Sequence, residues 1–518
     1  MADDTYLVGI DFGTESARVG IFGADGTPVT FANETYELHH PRPGWAEQDP
    51  DEWWSSLSTA CNEAMTESGI SPDAIAGLSV DATSATVLAM DGNDQHLRPA
   101  IMWMDVRATE EAKRIEETGH EALKYNGYGS VSAEWGLPKV MWLKKHESET
   151  YESAAHIVEA GDWLVNKLTG EWNASLNMAA GKYYHDNDEG GFPEGLYAEL
   201  GVEDFLEKYP RNIISPSEVG GELSEQAAEQ LGLRKGIPVA QGGIDAYMGA
   251  LGLGVVEPGN MALITCSSHV MIGQTAEPMH GEGFWGAYTD AMIPGEYTVE
   301  AGQASTGSVV AWFKNRFAGD ARADAERRDV DAYDILNELA ADVPIGSEGL
   351  IVLEYFQGNR SPYTDPLVRG MMFGLSLSHG PGHMFRAILA GICFGTENIF
   401  RSLREGGFTP TETFVAGGPT KSELWMQMHA DVSNLPLTIV KNGDVAPVLG
   451  SAMLAAVGAG VHADVKTAAE RMVKVDRTIE PNEEAHEAYQ FSFDRYVESY
   501  EQMRDTMHQV TRHVSDSD

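Results

Sequence analysis

At 518 residues the chain exceeds what one hydrophobic core usually supports, so at least two domains are expected. Hydrophobic and aromatic contents of 42% and 9% are those of a globular protein, and no apolar run of about 18 residues predicts a membrane span. With 35 Lys plus Arg against 79 Asp plus Glu, the formal charge is −44, which repels nucleic acid and anionic membranes and argues against both as partners.

The opening MADDTYLVGID is acidic where a secretory leader needs a basic region, which predicts a cytoplasmic protein. Residues 6–31 read as strand, turn, strand, turn, strand, with the glycine- and hydroxyl-rich turn DFGTES between the first two strands. A helix is predicted from Asp49, with Pro50 at its first position and Trp53, Trp54, Leu57, Ala60, Cys61, Ala64 and Met65 at helical spacing. IAGLSVDAT reads as a buried strand ending on Asp81, residues 107–170 as mainly helical, and residues 171–240 as mixed. PVAQGGIDAYMGALGLG (238–254) reads as strand, glycine turn and helix. GNMALITCSSHVMIG (259–273) then repeats the opening hairpin about half a chain later, which predicts two structurally related halves around a cleft. A long helix with Met384, Ile388, Ile392, Ile399 and Leu403 on one face follows, then strand, glycine loop and helix in FVAGGPTKSELWMQMHADV. The closing VSDSD is expected to fray. Cys61, Cys266 and Cys393 are too scattered to form a disulfide framework or a metal ligand set. The acidic residues are dispersed along polar faces, as in EEAKRIEETGHEA and EGLYAELGVEDFLEK, a composition that resembles proteins of salt-accumulating halophiles.

Several segments carry chemistry. In GIDFGTESAR, glycines and hydroxyls between strands let backbone N–H groups and side chains approach phosphate oxygens closely. Asp11 at the strand end suits a Mg²⁺, and Arg18 suits phosphate charge; an ordinary hairpin would carry the same turn residues. Thr265, Ser267 and Ser268 give the second hairpin the same character, and neither hairpin matches the GxxxxGK[ST] phosphate loop. Asp245, after two glycines at a helix start, can accept the proton of an attacking hydroxyl, although Asp in that position is also a common N-cap. AGGPTKSELW places two glycines before a helix N-terminus that favours an anion. Lys182, Glu300 and the cluster Trp103, Asp105 and Arg107 suggest hydroxyl recognition beside an aromatic surface, while each alone is as readily a salt bridge or cap. Trp135, Trp142 and Trp163 read as core aromatics.

Taken in order, GIDFGTESAR, MWMDVRA, DWLVNKLTGEW, GGIDAYMGALGLG, the second hairpin, GLSLSHGPGHMFRAILAGI and AGGPTKSELWMQMHAD resemble the FGGY carbohydrate kinases from about residue 6 to about 460. The resemblance implies an α/β fold of two actin-like, RNase H-type domains (the ASKHA fold), taken as residues 1–253 and 254–518, around a central ATP and sugar cleft. It implies ATP and Mg²⁺ as cofactors, Asp245 as catalytic base, and Asp11 with Asp245 at the metal. Gly13, Thr14, Ser16, Arg18 and Thr265 are then expected at the phosphates, Gly417, Gly418 and Ser422 at the adenosine, and Gly307 elsewhere along the ATP. SAEWGLPKVMWL and VDATSATV resemble the ribulokinase branch, which implies Lys182, Glu300, Asp105, Arg107, Thr83, Glu134 and Trp135 on the sugar side. Ala390 departs from the family, where many relatives carry Glu before the glycine.

The expected reaction is transfer of the γ-phosphate to the C5 hydroxyl of ribulose, or of ribulose 1-phosphate if Arg107, Lys124 or Lys139 supplies a further cationic pocket. Xylulose, pentitols and glycerol stay open as substrates, as does a non-catalytic sugar sensor or actin-like ATPase. A small sugar or sugar phosphate is the expected partner, and the sequence admits a homodimer without arguing for one.

Overall fold

The structure, a computed structural model, describes residues 5–515. The acidic opening before Thr5 and the end of the tail from Asp516 lie outside the described residues.

Three antiparallel strands begin the chain: β1 (Tyr6–Phe12), β2 (Ser16–Gly23) and β3 (Pro28–Thr35). Helix α1 (Pro50–Ser68) starts as expected: Asp49 caps it by accepting from the Asp51 N–H, and Gly69 ends it in the left-handed region. β4 (Ile75–Ala82) then pairs in parallel with β1. Strands β5 (Val219–Glu222) and β6 (Pro238–Ala240) complete a six-stranded sheet in the order β5-β6-β4-β1-β2-β3. Apolar residues fill both faces of its central strands, with Leu7, Val8, Ile10, Leu78 and Val80 all buried, as strands covered by helices require.

Helix α2 (Asp245–Leu253) leads to the second sheet, built from β7 (Asn260–Thr265), β8 (His269–Thr275), β9 (Trp285–Thr289) and β10 (Tyr297–Gln303). After α3 (Gly307–Phe317) and the long α4 (Pro381–Glu405) come β11 (Glu412–Ala416), α5 (Glu423–Ser433), β12 (Leu437–Val440), α6 (Ala446–Gly458) and β13 (Val475–Ile479). The sheet order is β9-β10-β8-β7-β11-β12-β13. The two sheets therefore repeat one plan. An antiparallel meander (β3-β2-β1 or β10-β8-β7) is followed by two parallel strands (β4-β6 or β11-β12) and an antiparallel edge (β5 or β13).

A cut between residues 253 and 254 parts the two sheets but not the two cores. Helix α6, from the second half of the chain, packs into the core of the first, where Val448, Ala452 and Met453 are fully buried with Leu7 and Leu78. Glycine makes this approach feasible: a Cβ on Gly9 would lie 1.9 Å from the Val448 carbonyl oxygen, and one on Gly450 would lie 1.9 Å from that of Met248 in α2. Among the described residues no helix is long and apolar enough to cross a membrane.

Candidate active site

The first half places its charges at the ends of its two central strands. Parallel pairing sets Asp11 directly beside Asp81, and both are fully buried. Burial raises both carboxyl groups: the Arg18 guanidinium opposes the rise at Asp11, and the Asp11 charge adds to it at Asp81. Arg18 Nη2 lies 2.5 Å from Asp11 Oδ2, and Ser451 of α6 donates to Asp81 Oδ2 at 2.6 Å. The hairpin beyond β1 is tied down by its carbonyls, with the Tyr36 hydroxyl donating to Gly13 O at 2.5 Å and Gln48 Nε2 to Thr14 O at 2.7 Å. Ser16 closes this turn, its carbonyl accepting from the Gly13 N–H at 3.1 Å.

Asp245 stands at the start of α2, but it is not the N-cap; Ile244 is, and its N–H donates to Asn177 Oδ1 at 2.8 Å. Only glycine fits before it, because a Cβ on Gly242 would lie 2.0 Å from the Val80 carbonyl oxygen. The double glycine thus lets the loop press against β4 and brings Asp245 towards Asp11. Desolvation, reinforced by the Asp11 charge and opposed by Arg18 and Lys182, pushes the Asp245 carboxyl up to about 7.

Lys182 and Glu300 meet across the two halves, Nζ to Oε2 at 3.5 Å, and the Tyr247 hydroxyl donates to the same oxygen at 2.9 Å. The Lys182 ammonium lies over the Trp135 and Trp285 rings, 5.5 and 5.8 Å from their centroids. Trp135 is thus both a core aromatic, as its sequence context indicates, and a wall of this polar pocket. Thr83 follows β4 and shares a 2.8 Å hydrogen bond with Thr86. Glu134 is half-buried next to Trp135, and its charge reaches Lys139.

Two residues expected at the sugar are engaged with protein groups. The Arg107 side chain is fully buried, forked onto Asp105 at 2.7–2.8 Å and stacked 3.7 Å from the Trp45 ring centroid. Asp105 is also fully buried and accepts from the Ala46 N–H at 2.6 Å. This pair fastens the 44–47 loop, because a buried guanidinium needs a counter-charge and an aromatic face and finds both here. Lys139 is likewise inward, donating to the carbonyls of Ala85, Met102 and Trp103 at 2.7–2.9 Å, and Lys124 is paired with Glu189.

The second half contributes a cavity of about 680 Å³ lined by Thr265, Gly307, Gly418 and Ser422, with Cys266, Tyr333 and Asn337. Gly307 opens α3 where a Cβ would lie 2.2 Å from the Cys266 carbonyl oxygen, so the helix start sits directly against the hairpin. Gly417, at φ +108°, presses on the hairpin from the other side, where a Cβ would lie 1.8 Å from Thr265 O. It supports the cavity wall while its neighbour Gly418 forms it. Thr265 donates to Ala416 O at 2.6 Å, and Ser422 caps α5 while donating to Asn337 Oδ1 at 2.9 Å. Burial raises the Cys266 thiol, and the Arg18 charge of the first half opposes the rise.

Models of the FGGY family of carbohydrate kinases match the chain over residues 6–252 (N-terminal domain) and 262–459 (C-terminal domain). The chain belongs to this family. A Xenopus laevis FGGY carbohydrate kinase domain-containing protein is 31% identical, over 96% of each chain. A Mycolicibacterium smegmatis ribulokinase is 34% identical, over 90% of this chain and 88% of its own. Among solved structures, a xylulose kinase from Rhodospirillum rubrum superposes with a TM-score of 0.88 at 28% identity, over 97% of this chain and 100% of its own. The protein is an ATP-dependent carbohydrate kinase, a phosphotransferase acting on a small sugar, and its two related sheets are the two actin-like domains of the fold.

The candidate site also contains residues with no local signal in the sequence. Asp81 reads as a strand end, and its pairing with Asp11 depends on strand register across 70 positions; the shared pattern of a buried strand ending on Asp was the available signal. Tyr247 and Trp285 had no local signature. Asp11 Oδ1 and Asp81 Oδ1 are buried with no hydrogen-bond donor of their own, a pair of acceptors that suits a divalent cation, while Asp245 does not join them in one group of ligand atoms within 4.8 Å of one another.

Proposed function

We propose that this kinase transfers the γ-phosphate of ATP to the C5 hydroxyl of a free ketopentose of the ribulose type, with Asp245 as the general base. The observation that carries the reading is the position of Asp245. It follows directly on Ile244, which bridges Ala82 at the end of β4, and its carboxyl, pushed up to about 7, feels the charges of Asp11 and Arg18 on the phosphate side and of Lys182 on the sugar side. A base so tuned is about half ionised at neutral pH, and its ionised form is basic enough to accept the proton that the attacking hydroxyl loses.

Lys182 and Glu300 orient the ketose, one donating to and the other accepting from its oxygens, and Trp135 and Trp285 present flat apolar faces to its carbons. Arg18 and the two hairpins neutralise the phosphate chain, while Gly307, Gly418 and Ser422 hold the nucleoside end. Asp11, with Asp245, would hold Mg²⁺, which when bound offsets charge on the phosphate oxygens. Approach of the two halves, which the Lys182–Glu300 contact already bridges, excludes water from the transfer.

Engagement of Arg107, Lys139 and Lys124 elsewhere supports a substrate without a phosphate of its own. Ribulokinase relatives support the ribulose type. The test is incubation with Mg·ATP in high KCl and a panel of ketopentoses, pentitols, glycerol and ribulose 1-phosphate, with products identified by mass spectrometry. A 5-phosphate from free ribulose is expected. A bisphosphate formed only from the 1-phosphate, or a product only from xylulose, a pentitol or glycerol, overturns the substrate assignment.

A further inference from the structure

We infer that Trp103 is a positioning residue for phosphate transfer, its indole N–H turning the Thr14 hydroxyl into a dedicated donor to the phosphate oxygens. The inference rests on the reading of the first hairpin as a phosphate site.

Trp103 Nε1 donates to Thr14 Oγ1 at 3.0 Å, across 89 positions of sequence. An indole nitrogen can only donate, whereas a hydroxyl has one proton and two lone pairs. Once Thr14 Oγ1 accepts from the indole, its own proton must point away from Trp103, which leaves it for an acceptor on the open side of the hairpin. The neighbouring acceptors are occupied in the same manner. Gly13 O takes the Tyr36 hydroxyl, and Thr14 O takes Gln48 Nε2, whose Oε1 in turn accepts from Trp53 Nε1 at 3.0 Å. Fixed donors of the first half therefore each take one lone pair of Gly13 O, Thr14 O and Thr14 Oγ1 and anchor the hairpin tip. The Thr14 proton is left as a donor, the polarity that a polyanion requires.

The main chain of Trp103 is itself held. Lys139, fully buried, donates to Trp103 O at 2.9 Å, to Met102 O at 2.8 Å and to Ala85 O at 2.7 Å. Ala85 lies in the left-handed region at φ 54°, in the loop that carries Thr83. One ammonium thus locks both the indole that orients Thr14 and the loop on the sugar side, which fixes one in register with the other.

The experiment is a double-mutant cycle on Trp103→Phe and Thr14→Val, with kcat and the sugar and ATP KM measured for each variant. Replacement of Trp103 by benzothienylalanine, which keeps the bicyclic shape and lacks the N–H, is the second variant should phenylalanine disturb folding. Loss of the N–H is expected to lower kcat about tenfold, the scale of one net hydrogen bond, with sugar KM within about twofold of wild type. Thr14→Val should lose at least as much, Thr14→Ser should retain most of the rate, and the double variant should fall no further than Thr14→Val alone. Losses that multiply in the double variant overturn the inference, as does a raised sugar KM with unchanged kcat, which would make Trp103 a wall of the sugar pocket. A Thr14→Val enzyme with undiminished kcat removes the phosphate role of Thr14 itself, a failure distinct from the other two.

Discussion

The two sheets share a strand plan, yet their central strand ends carry opposite chemistry. In the first, neighbouring strands end on two buried carboxylates, Asp11 and Asp81, with Arg18 and Asp245 close by. In the second, the corresponding strands end on Thr265, bonded to Ala416 O, and on the glycine pair 417–418. Desolvating carboxylates is costly and is tolerated where charge is handled during the reaction. Where a nucleotide has only to be held, hydroxyls and close backbone suffice. On the proposed reading, one scaffold is thus divided between making the bond and gripping the donor.

This division can be broken from either side. Asp245→Asn should reduce kcat at least ~100-fold, the scale of a general base, while nucleotide affinity measured by calorimetry stays near wild type. Its folded carboxyl sits at about 7, above the ordinary value of 3.8, so ionising it costs stability, a cost that grows as pH rises towards 7 and vanishes in acid. Thermal melts at pH 8 should therefore find Asp245→Asn at least as stable as wild type. Wild-type kcat/KM should fall as pH drops below about 7, as the base takes up its proton. Lys182→Met should raise sugar KM by roughly 10- to 100-fold and leave ATP KM almost unchanged.

On the other side, Gly417→Ala forces a Cβ to 1.8 Å from Thr265 O. It should weaken ATP by about tenfold, through displacement of the hairpin, with little effect on sugar KM. The smallest change is expected at a residue whose contacts are all internal. Asp105→Asn removes one of the two carboxylates paired with buried Arg107, leaving Glu47, and should cost about 1–2 kcal/mol of stability, seen in denaturant melts, with the sugar KM kept.

The hairpins and glycine loops were legible because their requirement is local: a tight approach to phosphate needs Gly and hydroxyl residues within a few positions of one another. The repeat of the first hairpin at 259–273 gave the two halves for the same reason. The surroundings of Asp105, Arg107 and Lys139 were not legible, because residue type reveals that a charge must be compensated, not whether a ligand or a neighbour does so. Here Trp45, Glu47 and three carbonyls, distant in sequence, do it. The choice at Asp245 between cap and base turned on a single position, and the cap proved to be Ile244. Asp81, Tyr247 and Trp285 gain their meaning only from strand register and from contact between halves.

Helix α6 carries a last implication for the architecture as a whole. It leaves the second sheet, lies in the core of the first, and reaches Asp81 through Ser451. A gene fragment ending at Leu253 would leave one face of its own sheet bare, and a fragment beginning at Gly254 would carry an apolar helix with nowhere to dock. The two halves look like modules when laid out as strands, yet they are interlocked parts. A working split of this kinase must travel with α6 on the side of the first sheet, and exchanging whole halves between relatives means exchanging that helix with its receptor.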